Sequence, residues 1–167
     1  FYTMEYLPHP SVEDILQKST EPLPEARVHS WMVQLAKAMV HYEAAGVLHR
    51  DIKGANVIIT DEERLVLVDF GLAYDEGASK LTRTGAILGT PYFLAPELLT
   101  GNRPSIASDI YSVGVLLYEC LTGSLPFRNK TMESLLISIL NGEYTPLKEV
   151  RPELAARWTP ILERCLA

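Results

Sequence analysis

Asp51, Asn56 and Asp69 are the residues whose types and spacing could do chemistry together. They lie in two polar clusters, His49-Arg50-Asp51-Ile52-Lys53-Gly54-Ala55-Asn56 and Asp69-Phe70-Gly71, and a third cluster runs from Gly89 to Glu97. Between the first two stand the aliphatic runs Val57 to Thr60 and Leu65 to Val68, separated by Asp61-Glu62-Glu63-Arg64. That pattern predicts a hairpin. A hairpin returns the chain to its start, so Asp51, Asn56 and Asp69 are expected at one edge of a small sheet. An amide oxygen and a carboxylate converging there suit Mg²⁺, which binds through one or two protein ligands plus substrate phosphates. Asp51 is then left to orient a hydroxyl and accept its proton. Singly, Asp69 reads as a turn residue, Asn56 as a strand-end cap and Lys53 as a solvated lysine. Their joint pattern outweighs those readings.

The elements that must position these residues are mostly helical. Phe1 to Leu7 is strand-like from its first residue and runs into Pro8-His9-Pro10. Ser11 is a cap for a short helix from Val12 to about Lys18, with Glu13 and Asp14 in the first turn. After Pro24, apolar residues at Val28, Trp31, Met32, Leu35, Ala36, Met39 and Val40 predict one buried helical face, ended by Gly46. The segment from Asp69 to Pro96 has no periodicity, and connections of that length in compact domains are usually functional. From Ser108, read as the N-cap, the chain to Leu121 is apolar almost all round and predicts a central buried helix ended by Gly123. Helices over Met132 to Leu140 and Ala155 to Leu166 follow, joined by a loop with Pro146 and Pro152. The fold class is therefore α+β and mainly helical.

Composition bounds the function. With 47% hydrophobic and 22% charged residues, the chain has the make-up of a globular domain. A formal charge of −6 argues against nucleic acid or an anionic membrane as partner. Cys120 and Cys165 lie in apolar stretches without metal-ligand spacing, which suits reduced core thiols and a reducing, cytoplasmic setting. The apolar run from Ile110 to Leu121 is too short to span a bilayer. His9, His29 and His41 also lack ligand spacing.

The three clusters, in this order and with a hairpin between the first two, resemble the catalytic loop, magnesium loop and activation segment of eukaryotic-like (Hanks-type) protein kinases. Ser108-Asp109-Ile110-Tyr111-Ser112-Val113-Gly114 is similar to the start of that family's central helix. The resemblance covers the whole chain and implies ATP and Mg²⁺ as cosubstrate and cofactor, with a protein hydroxyl as acceptor. It implies that Asp51 is the catalytic base and that Lys53 neutralises charge on the transferred phosphate. Asn56 and Asp69 would hold magnesium. Met4, Glu5, Leu7, Ser11 and Ile58 would line the ATP site, with Lys53, Asn56 and Asp69 at its phosphates. Thr90 would bond Asp51 and Lys53. His49 and Phe70 would pack as structural residues, Asp109 and Glu97 would be buried polar struts, and Arg164 would pair with Glu97. Lys53, with Gly89-Thr90-Pro91, resembles Ser/Thr rather than tyrosine kinases. The stretch Thr82 to Thr90 and the tail from Val150 look like bacterial receptor-type members.

By the same resemblance, residues 1–10 correspond to the last small-lobe strand and the hinge, and residues 11–167 to the large C-terminal lobe. The Gly-rich loop and strand lysine of the small lobe are expected upstream, as a partner in cis, and any membrane attachment is expected outside these residues. The piece alone is expected to be inactive. A pseudokinase or docking module is the alternative, and intact Asp51, Lys53, Asn56 and Asp69 weigh against it. Arg50 is expected to meet a phosphate on Thr82 or Thr84 of the activation segment.

Overall fold

The computed structural model describes residues 5–70 and 91–167. Helix α1 (Val12–Lys18) starts at Ser11, whose hydroxyl accepts the Asp14 N–H while the Asp14 carboxylate accepts the Ser11 N–H, a reciprocal cap. Helix α2 (Glu25–Ala44) buries Val28, Trp31, Leu35, Met39 and Tyr42 as one stripe. Beyond it Gly46, at φ 70°, turns the chain out of the helix. Two residues expected on the stripe lie off it: Ala36 is exposed and Val40 is 68% exposed. Each follows a buried residue by one position, which is about 100° round the helix.

The predicted hairpin forms as β1 (Val57–Ile59) and β2 (Leu65–Leu67), antiparallel, with Val57 opposite Leu67 and Ile59 opposite Leu65. Its outer edge meets the incoming chain, where Ser11 bridges to Ile58 and the Ile59 N–H donates to the Pro10 carbonyl. Glu5 to Leu7 carry no strand pairing among the described residues, and the rest of that expected strand lies outside them.

After a 3-10 turn at Pro91–Phe93, the short helix α3 (Pro96–Leu99) precedes the central helix α4 (Ile106–Thr122). The cap of α4 is Ser105, not Ser108. Ser108 sits inside the first turn, where its hydroxyl accepts the Ser105 N–H. Leu116, Leu117, Tyr118 and Leu121 are buried around α4, so it contacts α2, α6 and α7 at once. Gly123, at φ 71°, ends it as expected.

Helices α5 (Met132–Asn141) and α7 (Pro152–Cys165) match the two expected amphipathic segments. Helix α7 begins earlier than predicted because Pro152 occupies its first turn, where a missing N–H costs nothing. The loop between them holds one unpredicted turn of helix, α6 (Leu147–Val150). Among the described residues no helix is long and apolar enough to cross a membrane. Cys120 is buried, Cys165 half-buried, and both are free thiols.

Candidate active site

The loop before β1 is hung from α4 by one buried carboxylate. Asp109 Oδ2 accepts the His49 N–H at 2.8 Å and the Tyr42 hydroxyl at 3.1 Å, while Oδ1 accepts the Arg50 N–H at 2.8 Å. Three donors satisfy a carboxylate whose residue is 2% exposed, which is how a buried charge is tolerated. The loop then turns sharply at Arg50, a non-glycine residue at φ 67°.

His49 joins the two ends of the hairpin. Its Nε2 lies 2.9 Å from the Val68 carbonyl, and its Nδ1 lies 3.3 Å from the Asp51 N–H. A carbonyl can only accept, so Nε2 carries the proton and Nδ1 is the acceptor. Burial also lowers the His49 pKa, which keeps the ring neutral. The ring packs on Phe70 with centroids 4.7 Å apart, and Tyr42 meets Phe70 edge-on at 5.5 Å.

The Asp51 side chain is met by a cation and an amide. Lys53 Nζ lies 2.8 Å from Asp51 Oδ2, and Asn56 Nδ2 donates to the same oxygen at 3.0 Å and to the Asp51 carbonyl at 2.7 Å. With its nitrogen so engaged, Asn56 keeps its carbonyl oxygen on the opposite side of the amide. The Val68 N–H donates to the Asn56 carbonyl at 3.0 Å, so Asp69 emerges one residue beyond the bond that closes the hairpin base. Asp69 is exposed, at φ 59°. The structure thus brings Asp51, Lys53, Asn56 and Asp69 to one edge of the sheet. The carboxylate and amide oxygens of Asp69 and Asn56 are hard ligands, which fit magnesium rather than a softer ion. Among the described residues no group of three or more His, Cys, Asp or Glu could by itself hold a metal ion. Gly54 carries the loop past α1: a Cβ there would come within 3.0 Å of the Glu13 nitrogen.

On the other side of the hairpin, Leu7 and Ile58 are half-buried and Glu5 is exposed. Ser11 is beside Ile58, but its hydroxyl already donates to Asp14 Oδ2 at 2.7 Å. A ribose contact from Ser11 would have to displace that bond. Met4, Thr82, Thr84 and Thr90 lie outside the described residues. Glu97 accepts the Ser108 hydroxyl at 2.7 Å. The expected pairing of Glu97 with Arg164 is not formed. Arg164 is exposed on α7, and no ion pair joins the two among the described residues, because Glu97 faces the first turn of α4.

Tyr42, Glu63 and Gln34 are contributors that escaped the reading of the sequence. Tyr42 continues the buried stripe of α2 at i+3 from Met39, and a buried tyrosine needs a hydroxyl partner; that spacing was the available signal. Glu63 and Gln34 clamp the hairpin tip to α2. The Glu63 carboxylate accepts from Arg27 Nη2 at 2.7 Å and Trp31 Nε1 at 2.9 Å, and Gln34 exchanges bonds with the Glu63 carbonyl and the Leu65 N–H.

Compared with known proteins, the chain matches the family described as protein kinase domain over residues 1–167. It is 36% identical over 152 residues to the serine/threonine-protein kinase PknD of Mycobacterium tuberculosis, a match covering 91% of this chain and 22% of that protein. To PknH of the same organism it is 34% identical over 154 residues, 92% of this chain and 25% of PknH. Serine/threonine-protein kinase pkn3 of Myxococcus xanthus is 34% identical over 175 residues, covering 99% of this chain and 31% of that relative. The chain therefore spans between 22% and 31% of the length of these relatives.

Proposed function

This chain belongs to the protein kinase family, and from that premise we propose that it forms most of the large lobe of a serine/threonine kinase acting on protein hydroxyls. Residues 1–10 are assigned to the last small-lobe strand and hinge, and residues 11–167 to the C-terminal lobe. The small lobe in cis completes the ATP site above Met4, Glu5, Leu7 and Ile58. The catalytic domain is assigned to the cytosol. The observation that carries this reading is the Asp51 carboxylate, held by Lys53 at 2.8 Å and Asn56 at 3.0 Å on one oxygen.

In this reading Asp51 orients the acceptor hydroxyl and takes its proton as the hydroxyl oxygen bonds to the γ-phosphorus and the bond to the ADP oxygen breaks. Lys53 sits beside Asp51 as a cation for the oxygens of the transferred group. Asn56, through its side-chain carbonyl oxygen, and Asp69 would hold magnesium, which would neutralise charge on the phosphates. His49, neutral and bonded to both Val68 and the Asp51 N–H, keeps these two sources of carboxylate in register. Lys53 in its place after Asp51 favours Ser/Thr acceptors, and the relatives' names agree. Thr82 and Thr84 are assigned as phosphorylation sites in the activation segment, and Thr90 as its tie to Asp51.

The test compares Asp51→Asn with Asp69→Ala in a protein carrying this chain together with its small lobe. Asp51→Asn should lower kcat by at least about 10²-fold while ATP binding persists. Asp69→Ala should raise the Mg²⁺ concentration needed for turnover. Wild-type kcat in the Asp51→Asn variant would overturn the assignment.

A further inference from the structure

Tyr42, on α2, touches both halves of the site. Its hydroxyl bonds the same Asp109 oxygen that receives the His49 N–H, and its ring edge rests on Phe70, next to Asp69. The hydroxyl is 3.1 Å from Asp109 Oδ2, and the rings of Tyr42 and Phe70 are 5.5 Å apart at 88°. Tyr42 is 5% exposed and Asp109 is 2% exposed, so water does not replace either contact easily. Burial, together with the Asp109 charge, raises the Tyr42 pKa, so the phenol stays a donor throughout the working pH range.

We propose that Tyr42 is a positioning residue that locks the Asp51 loop and the Asp69 segment to each other. This rests on the kinase reading of those two aspartates. Asp109 fixes the loop only while its carboxylate holds one orientation, with Oδ1 toward Arg50 and Oδ2 toward His49. The Tyr42 hydroxyl is the side-chain donor that sets this orientation, because the other two donors belong to the loop being held. The same ring limits where Phe70 can sit. A shift of the loop is thereby transmitted to the metal-holding segment through one rigid side chain with two χ angles.

The two contacts separate by substitution. Tyr42→Phe removes the hydroxyl and keeps the edge on Phe70, whereas Tyr42→Leu removes both. Both are made in the full-length protein and compared by kcat, by the Mg²⁺ concentration at half-maximal rate, and by amide hydrogen exchange. Tyr42→Phe should lower kcat by about tenfold, the size of one hydrogen bond to a charged group, with peptide KM and Mg²⁺ requirement near wild type. Exchange at the His49 and Arg50 amides should rise by a similar factor while the rest of α4 stays protected. Tyr42→Leu should in addition raise the Mg²⁺ requirement several-fold. Unchanged exchange at His49 and Arg50 in Tyr42→Phe, or faster exchange spread evenly over α2 and α4, would overturn the proposal. An equal Mg²⁺ requirement in the two variants would overturn the link to Phe70. The exchange comparison needs no turnover, so it decides the link even if wild-type protein transfers no phosphate, an outcome that would count against the kinase reading alone.

Discussion

Glu119, on α4, lines a cleft of about 560 Å³ together with Tyr92, Phe127, Arg128 and Asn129. Burial pushes its pKa up from 4.5 to about 7, with the charge of Glu13 adding to the effect. The sign follows from linkage. Between pH 4.5 and about 7 the folded chain holds a proton that the unfolded chain has lost. Stability from this group is therefore present in full at acid pH and is lost as pH rises through that window. Glu119→Gln mimics the protonated form at every pH. At pH 8 its melting temperature should exceed that of wild type by roughly 2–6 °C, and near pH 5 the gap should shrink to little. Thermal melts of both proteins at the two pH values check this. An equal gap at both would mean that the carboxyl is not shifted by its burial, and a less stable glutamine variant at pH 8 would mean that the cleft stabilises the charged form. His49 works in the opposite direction. Its lowered pKa means that stability is lost on acidification below the usual histidine range, as protonation breaks the bond from the Asp51 N–H.

The hairpin behaves as an element because it is fastened at both ends. Its base is closed by the Val68 bond to Asn56, and its tip is clamped to α2 through Glu63. Glu63 also sits at φ 58°, where a side chain costs about 1 kcal/mol relative to glycine. Two effects can thus be set against each other. Glu63→Ala keeps the backbone cost and leaves the indole N–H of fully buried Trp31 without its partner, a loss of about 1–3 kcal/mol. Glu63→Gly loses the same bonds and relieves the backbone, so it should be the more stable of the two by about 1 kcal/mol. Urea unfolding of both variants decides it, and equal stabilities would show that the turn carries no strain. At this scale the sequence was readable where local chemistry dictates structure: the Ser11 cap, the Gly46 and Gly123 stops, and the hairpin. It was less readable where tertiary contacts choose among local options. Ser105 and Ser108 are equally good caps by type, and only the demand of Glu97 for a donor distinguishes them. Val40 and Ala36 fit a helical period, yet packing against α4 uses a narrower stripe. The pairing of Arg164 with Glu97 came from resemblance and had no local signal to test it. Asn56 and Asp69 come to the same end of the hairpin, as its pairing requires, whereas Tyr42 supports the loop before it through Asp109, far away in sequence.

At the scale of the whole molecule, α4 is the axis against which α2, α6 and α7 pack, and α7 is fastened to both α4 and α2. Arg151 caps the end of α4 through the Leu121 carbonyl at 2.7 Å, and Trp158 and Arg157 bond Glu25 at the start of α2. Helices α4 and α7 approach closely at Gly114, where a Cβ would lie 2.6 Å from the Cβ of Cys165 and 3.0 Å from Leu166 Cδ2. Neither helix can retreat without opening the core. Gly114→Ala should therefore destabilise the fold by about 1–3 kcal/mol despite the better helix propensity of alanine. Chemical denaturation measures it, and a stabilised alanine variant would show that α7 docks loosely. The left-handed backbone at Arg50 and Asp69 has a consequence for anyone evolving this protein toward heat resistance. Glycine at either position would relieve about 1 kcal/mol, so a library screened only for survival at high temperature should collect glycine beside Asp51 and in place of Asp69. Such winners would be the sturdier and the less active, and a screen that rewards turnover should return the original residues at those two positions.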